Sequence, residues 1–109
     1  MGYDSSLAAR IRRRIGTRPD LAEKEMFGGL AFLIGGKMAV GVSGHDLMVR
    51  VGKDAHDVAM ARPGARIFDL SGRPMRGWIV VAPEAFPSDN VLGAWVDQGV
   101  TYAEGLPSK

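Results

Sequence analysis

The glycines between Glu25 and Val51 constrain this chain more than any other feature. With Glu23 and Lys24 included, the stretch reads EKEMFGGLAFLIGGKMAVGVSGHDLMVRV. Gly35-Gly36 separates two apolar runs, Leu30 to Ile34 and Lys37 to Val42. Two residues that tolerate positive φ between two such runs are the signature of a tight hairpin. Alternate side chains of a strand share a face, so the spacing predicts Leu30, Phe32 and Ile34 together on the first strand and Met38, Val40 and Val42 together on the second. A second turn, Ser43-Gly44-His45-Asp46, leads into Leu47, Val49 and Val51 alternating with Asp46, Met48 and Arg50, a strand with one wet face. Three antiparallel strands are expected from this stretch.

The flanking segments read as covers for that sheet. Asp4 or Ser5 caps a helix whose stripe is Leu7, Ala8, Ile11 and Ile15, ended by Gly16 and Arg18-Pro19. Leu21 to Lys24 reads as a short connection or a single helical turn. After Gly52-Lys53, the segment Asp54 to Arg62 carries a narrow helical stripe of Ala55, Val58, Ala59 and the Arg62 stem, and Pro63-Gly64 stops it. Ala65 to Leu70 reads as an edge strand, Ser71-Gly72-Arg73-Pro74 as a turn, and Trp78 to Val81 as a buried strand. Ser88 or Asp89 then caps a last helix with Leu92, Trp95, Val96, Gly99, Val100 and Ala103 on its apolar face. Leu106 to Lys109 reads as a frayed tail. The expected fold is α+β, a two-layer sandwich in α-β-β-β-α-β-β-α order with three main helices on an antiparallel sheet of about five strands.

A chain of 109 residues fits one domain spanning 1–109. Its apolar content of 46% is too high for disorder, yet no apolar run approaches the roughly 20 residues that span a bilayer. With no signal-peptide core at the N-terminus, a cytoplasmic protein without membrane contact is expected. The absence of cysteine excludes disulfides, thiolate metal sites and cysteine nucleophiles. A net charge of +2 is too small to argue for nucleic acid. Its distribution is uneven, with Arg10, Arg12, Arg13, Arg14 and Arg18 at the start and Glu84, Asp89, Asp97 and Glu104 toward the end, which predicts a molecule polar in charge.

No arrangement of residues amounts to an active site. Gly29 to Lys37 resembles a phosphate-binding loop only in composition, because Ala31 stands where a Walker motif needs glycine and Met38 where it needs Ser or Thr. His45-Asp46 and His56-Asp57, with Asp54, are the one candidate acid-base or metal cluster, and sequence neighbours of this kind point in different directions. No serine sits in a Gly-x-Ser-x-Gly elbow. Two arginines and a methionine beside a tryptophan in Gly72 to Trp78 suit an exposed recognition loop, since Arg and Trp are common interface anchors. The competing reading puts Trp78 in the core, Met75 in a gap and the arginines against carboxylates.

Glu25-Met26-Phe27-Gly28-Gly29-Leu30, Gly36-Lys37-Met38, Leu47 to Val51, Arg62-Pro63-Gly64-Ala65 and Gly72-Arg73-Pro74-Met75-Arg76-Gly77-Trp78, in this order, resemble the N-terminal domain of the TfoX/Sxy family. The resemblance spans nearly the whole chain and implies the same two-layer α+β fold. Full-length members regulate competence for DNA uptake and act in transcriptional control with other proteins. They carry a second, C-terminal domain, so the resemblance is to a stand-alone first domain. It supplies no catalytic residues, and its polar positions are Lys37, Arg73 and Arg76. The expectation is a non-enzymatic regulatory module without cofactor or metal, binding a protein partner through Met26, Phe27, Lys37, Arg73, Met75, Arg76 and Trp78. The alternatives are nucleic-acid contact through Arg10, Arg12, Arg13 and Arg14, a small-ligand or enzyme site around His45 or His56, and homodimerisation through an open sheet edge.

Overall fold

In the computed structural model, which describes residues 3–26, 28–70 and 72–106, the Asp4 carboxylate accepts hydrogen bonds from the backbone N–H groups of Ser6 and Leu7 at 2.9 and 3.2 Å. This cap starts α1 (Ser5–Ile15), which buries Leu7, Ala8 and Ile11 and ends at Gly16. There follow β1 (Leu21–Met26), β2 (Gly29–Ile34), β3 (Lys37–Ser43), β4 (Asp46–Arg50), α2 (His56–Met60), β5 (Ala65–Leu70), β6 (Arg73–Val81), a 3-10 turn at Pro83–Ala85 and α3 (Asp89–Glu104). The Ser88 hydroxyl accepts from the Val91 N–H and caps α3. The six strands form one antiparallel sheet in the order β1-β2-β3-β4-β6-β5.

The expected class and layering are those observed. Gly35 and Gly36 both hold positive φ, 59° and 84°, as the β2–β3 hairpin turn requires. The three helices lie on one face of the sheet. There Leu30, Phe32, Val40, Val42, Leu47, Val49, Ile79 and Val81 pack with Leu7, Ile11, Phe86, Leu92, Trp95 and Val96 in a single core. The glycine at position 99 brings α3 onto β3, since a Cβ there would overlap the Ala39 carbonyl oxygen and crowd Val40.

Four local expectations are corrected. The segment from Leu21 is not a connection but β1, paired along β2 from Leu21 opposite Ile34 to Met26 opposite Gly29. As an edge it needs little apolar surface, and its central charges Glu23, Lys24 and Glu25 blunt it against further pairing, so periodicity does not reveal it. Met38 does not share a face with Val40 and Val42. A bulge sets Met38 opposite Leu33 while Val40 stays opposite Phe32, which turns Met38 to the far face, and its Cε lies with that of Met48 over Gly41. Met48 and its β6 partner Val80 are buried on that face. In α2 the inward residues are His56 and Ala59, whereas Val58 is 75% exposed. Arg73 to Gly77 is not a loop but the first half of β6, in which Met75 pairs with Phe68 and Ile79 with Ile67, leaving Arg76, Gly77 and Trp78 in a wide bulge.

Replacing Gly99 by Ala is expected to lift α3 from β3 and cost about 1–3 kcal/mol, the range of an overpacked core position. Urea unfolding checks this, with Asn90→Ala on the exposed side of the same helix as the neutral control.

Candidate functional site

The β6 bulge builds one wall of a cleft. A strand that gains unpaired residues bends, and this bend carries Gly77 under the segment joining β4 to α2. The Gly77 carbonyl accepts from the N–H groups of Val51 and Gly52 at 2.8 and 3.1 Å. Its own N–H donates to Nδ1 of His56 at 2.9 Å. Because a backbone amide is always the donor, Nδ1 must be the acceptor, and the neutral imidazole keeps its proton on Nε2. His56, 4% exposed, is thus a buried hydrogen-bond post. Gly77 holds φ of 94°, and a Cβ on it would stand 2.9 Å from the Gly52 carbonyl carbon and 3.1 Å from the Lys53 nitrogen.

Around this knot lies a cleft of about 470 Å³ lined by Arg50, Lys53, Asp54, Arg76, Trp78 and Tyr102, among others. Arg50 closes β4, and Trp78 is its direct partner on β6. The Arg50 guanidinium carbon lies 5.0 Å from the centre of the Trp78 ring and 5.5 Å from that of Tyr102, which reaches in from the last turn of α3. Among the described residues Arg50 and Lys53 form no ion pair, while Arg76 donates to Asp57 at 3.1 Å.

Of the residues expected at an interaction surface, the structure brings Arg76 and Trp78 together here. Arg73 and Met75 continue along the same strand, Arg73 exposed and Met75 half-buried. Met26 is not part of this place. It lies on edge strand β1, four strand steps from β6, or roughly 19 Å at about 4.8 Å per step. It is also at the opposite end of the sheet, opposite Gly29. Lys37 serves the scaffold, donating to the Leu106 carbonyl at 3.1 Å and tying the chain after α3 to the hairpin. Phe27 lies outside the described residues. Arg50, Lys53 and Tyr102 were not singled out from sequence. Arg50 read as the wet face of a strand, and Tyr102 carried no signal linking it to a residue 52 positions earlier.

The arginines of α1 are largely committed to neighbours. Arg10 donates to Asp89 and to the Phe86 carbonyl, Arg12 grips Glu23 through two bonds of 2.7 Å, and Arg14 grips Asp97. Arg18 reaches both Asp20 and Glu104. The hydrogen bonds from Arg12, Arg14 and Arg18 hold the carboxyls of Glu23, Asp97 and Asp20 below the usual carboxylate range. Arg13 is exposed and has no ion pair among the described residues. The expected charge polarity is therefore reduced in space, because Asp89 and Asp97 of the acidic half face Arg10 and Arg14 of α1, and Glu104 faces Arg18 beyond it.

The two histidines do not converge. His45 sits in the β3–β4 turn with its side chain 80% exposed and its Nδ1 3.0 Å from Asp4, whereas His56 belongs to the other end of the sheet. The hydrogen bond between His45 and Asp4 holds the Asp4 carboxyl below the usual carboxylate range. Among the described residues no group of three His, Cys, Asp or Glu side chains is placed to hold a metal ion. No described helix is long and apolar enough to cross a membrane.

Residues 14–103 match the family model described as the TfoX N-terminal domain. No curated protein and no solved structure shows significant similarity.

Substituting Ala for His56 leaves the Gly77 N–H without an acceptor and is expected to cost about 1–3 kcal/mol. Gly77→Ala is expected to cost about 2–4 kcal/mol from its positive φ and from crowding of Gly52. Since both act on one contact, urea unfolding of the double variant should show a loss smaller than the sum; strict additivity would mean the two residues do not cooperate.

Proposed function

The chain belongs to the TfoX N-terminal domain family, and from that premise we propose that it is a non-enzymatic regulatory module that works by binding another protein through the cleft between the β4–α2 connection and the β6 bulge. One observation carries this reading. The cleft combines two aromatic walls with two cations that no described carboxylate neutralises, Arg50 and Lys53, on a frame fixed by the Gly77 hydrogen bonds. Tyrosine and tryptophan anchor interfaces because they offer large contact area with little conformational freedom to lose, and arginine because its planar fork makes several directed hydrogen bonds. Transcriptional control, which the family resemblance implies, and a cytoplasmic location, expected from the N-terminus and the lack of a long apolar run, belong to the same proposal.

Direct nucleic-acid binding through α1 has weaker support. Binding of that kind draws on cations free to displace counterions from phosphates, and Arg10, Arg12 and Arg14 already face carboxylates.

Affinity capture from cells followed by amine cross-linking tests the reading. Lys53 lines the cleft, Lys24 lies on edge strand β1, and Lys37 holds the end of α3, so the three report different surfaces. The expected result is a partner cross-linked at Lys53 and lost in the Arg73→Ala/Arg76→Ala variant. Cross-links at Lys24 alone would contradict it, as would capture unaffected by the variant. DNA binding that survives physiological salt and disappears in Arg12→Glu/Arg13→Glu would transfer the function to α1.

A further inference from the structure

We propose that the segment bound in the cleft is an acidic peptide of the partner, with one carboxylate gripped by Arg50 and a second by Lys53; this rests on the reading of the cleft as the partner site. Arg50 is prepared for such a ligand. The Trp78 and Tyr102 rings flank its guanidinium carbon at 5.0 and 5.5 Å from their centres, and its N–H groups line the cleft. Among the described residues Arg50 donates no side-chain hydrogen bond. A planar fork held in this way fits a carboxylate through two parallel hydrogen bonds, a geometry that an ammonium group does not reproduce.

The charge around Arg50 selects among anions. Arg50, Lys53 and Arg76 line the cleft with Asp54, and Asp57 stands against Arg76 on its rim. That mixture favours separate carboxylates entering between the acidic groups. It disfavours a continuous phosphodiester strand, whose closely spaced charges would meet Asp54 and Asp57. The aromatic walls suit the methylene stems of glutamate, which pack on apolar surface while the carboxylate reaches the cation. The exposed Arg73 on the same strand extends positive charge beyond the cleft along a path an extended chain can follow.

Isothermal titration of the protein with a hexaglutamate peptide at physiological salt tests this, with hexaglutamine and inorganic phosphate as the comparison ligands. The expected result is saturable binding of hexaglutamate, none of hexaglutamine, and no displacement by phosphate at equal concentration. Arg50→Lys keeps the charge and loses the fork, so it should weaken binding about tenfold or more, while Arg13→Gln on the exposed side of α1 should leave it unchanged. Circular dichroism establishes that each variant is folded. Absence of saturable binding would overturn the proposal, as would equal affinity in Arg50→Lys or displacement by phosphate alone. If hexaglutamate fails while the cellular partner still cross-links at Lys53, the partner site stands and the acidic assignment falls.

Discussion

The Gly77 peptide unit is the point on which this end of the molecule depends. Its carbonyl holds Val51 and Gly52, and its N–H holds His56, so β6, the β4–α2 connection and α2 meet in three hydrogen bonds around one residue. A buried polar group without a partner is costly, so each of these groups is locked by the others. The bulge that would otherwise be a defect in β6 becomes the wall of a cleft. It also explains why a histidine is buried: the imidazole satisfies an amide that the bulge has removed from the sheet ladder.

Electrostatics divides the molecule into two regions. Along α1 Arg10, Arg12 and Arg14 meet carboxylates from β1 and α3, and these exposed pairs add little stability but offset much of the helix's charge. At the cleft Arg76 meets Asp57, but among the described residues Arg50 and Lys53 have no such partner, and Arg50 rests on aromatic rings instead. The most basic stretch of sequence is thus not the most available positive surface. That surface is assembled from residues on β4, β6 and the loop before α2.

The sequence revealed those elements whose period is strong and whose partners are local. The Gly35-Gly36 hairpin and the α1 and α3 stripes could be placed, and the caps narrowed to Asp4 or Ser5 and Ser88 or Asp89, because each rests on residues within a turn or two of one another. β1 escaped because an edge strand needs few apolar residues, and Met38 was misplaced because a bulge reverses the alternation on which the reading relied. At the candidate site Arg76 and Trp78 stood out by composition, but Arg50 and Tyr102 did not, since their meeting depends on how α3 crosses the sheet. Charge was misjudged for the same reason: pairing between Arg14 and Asp97, or Arg18 and Glu104, exists only in three dimensions.

If the Gly77 hydrogen bonds make the cleft a rigid frame rather than a loop, amide hydrogen exchange followed by NMR will show it. The Gly77 amide is expected to exchange as slowly as those of Val40 and Val49 in the central strands, and to lose that protection in His56→Ala. Exchange of Gly77 in the native protein at the rate of the exposed turn residue Gly72 would contradict the account.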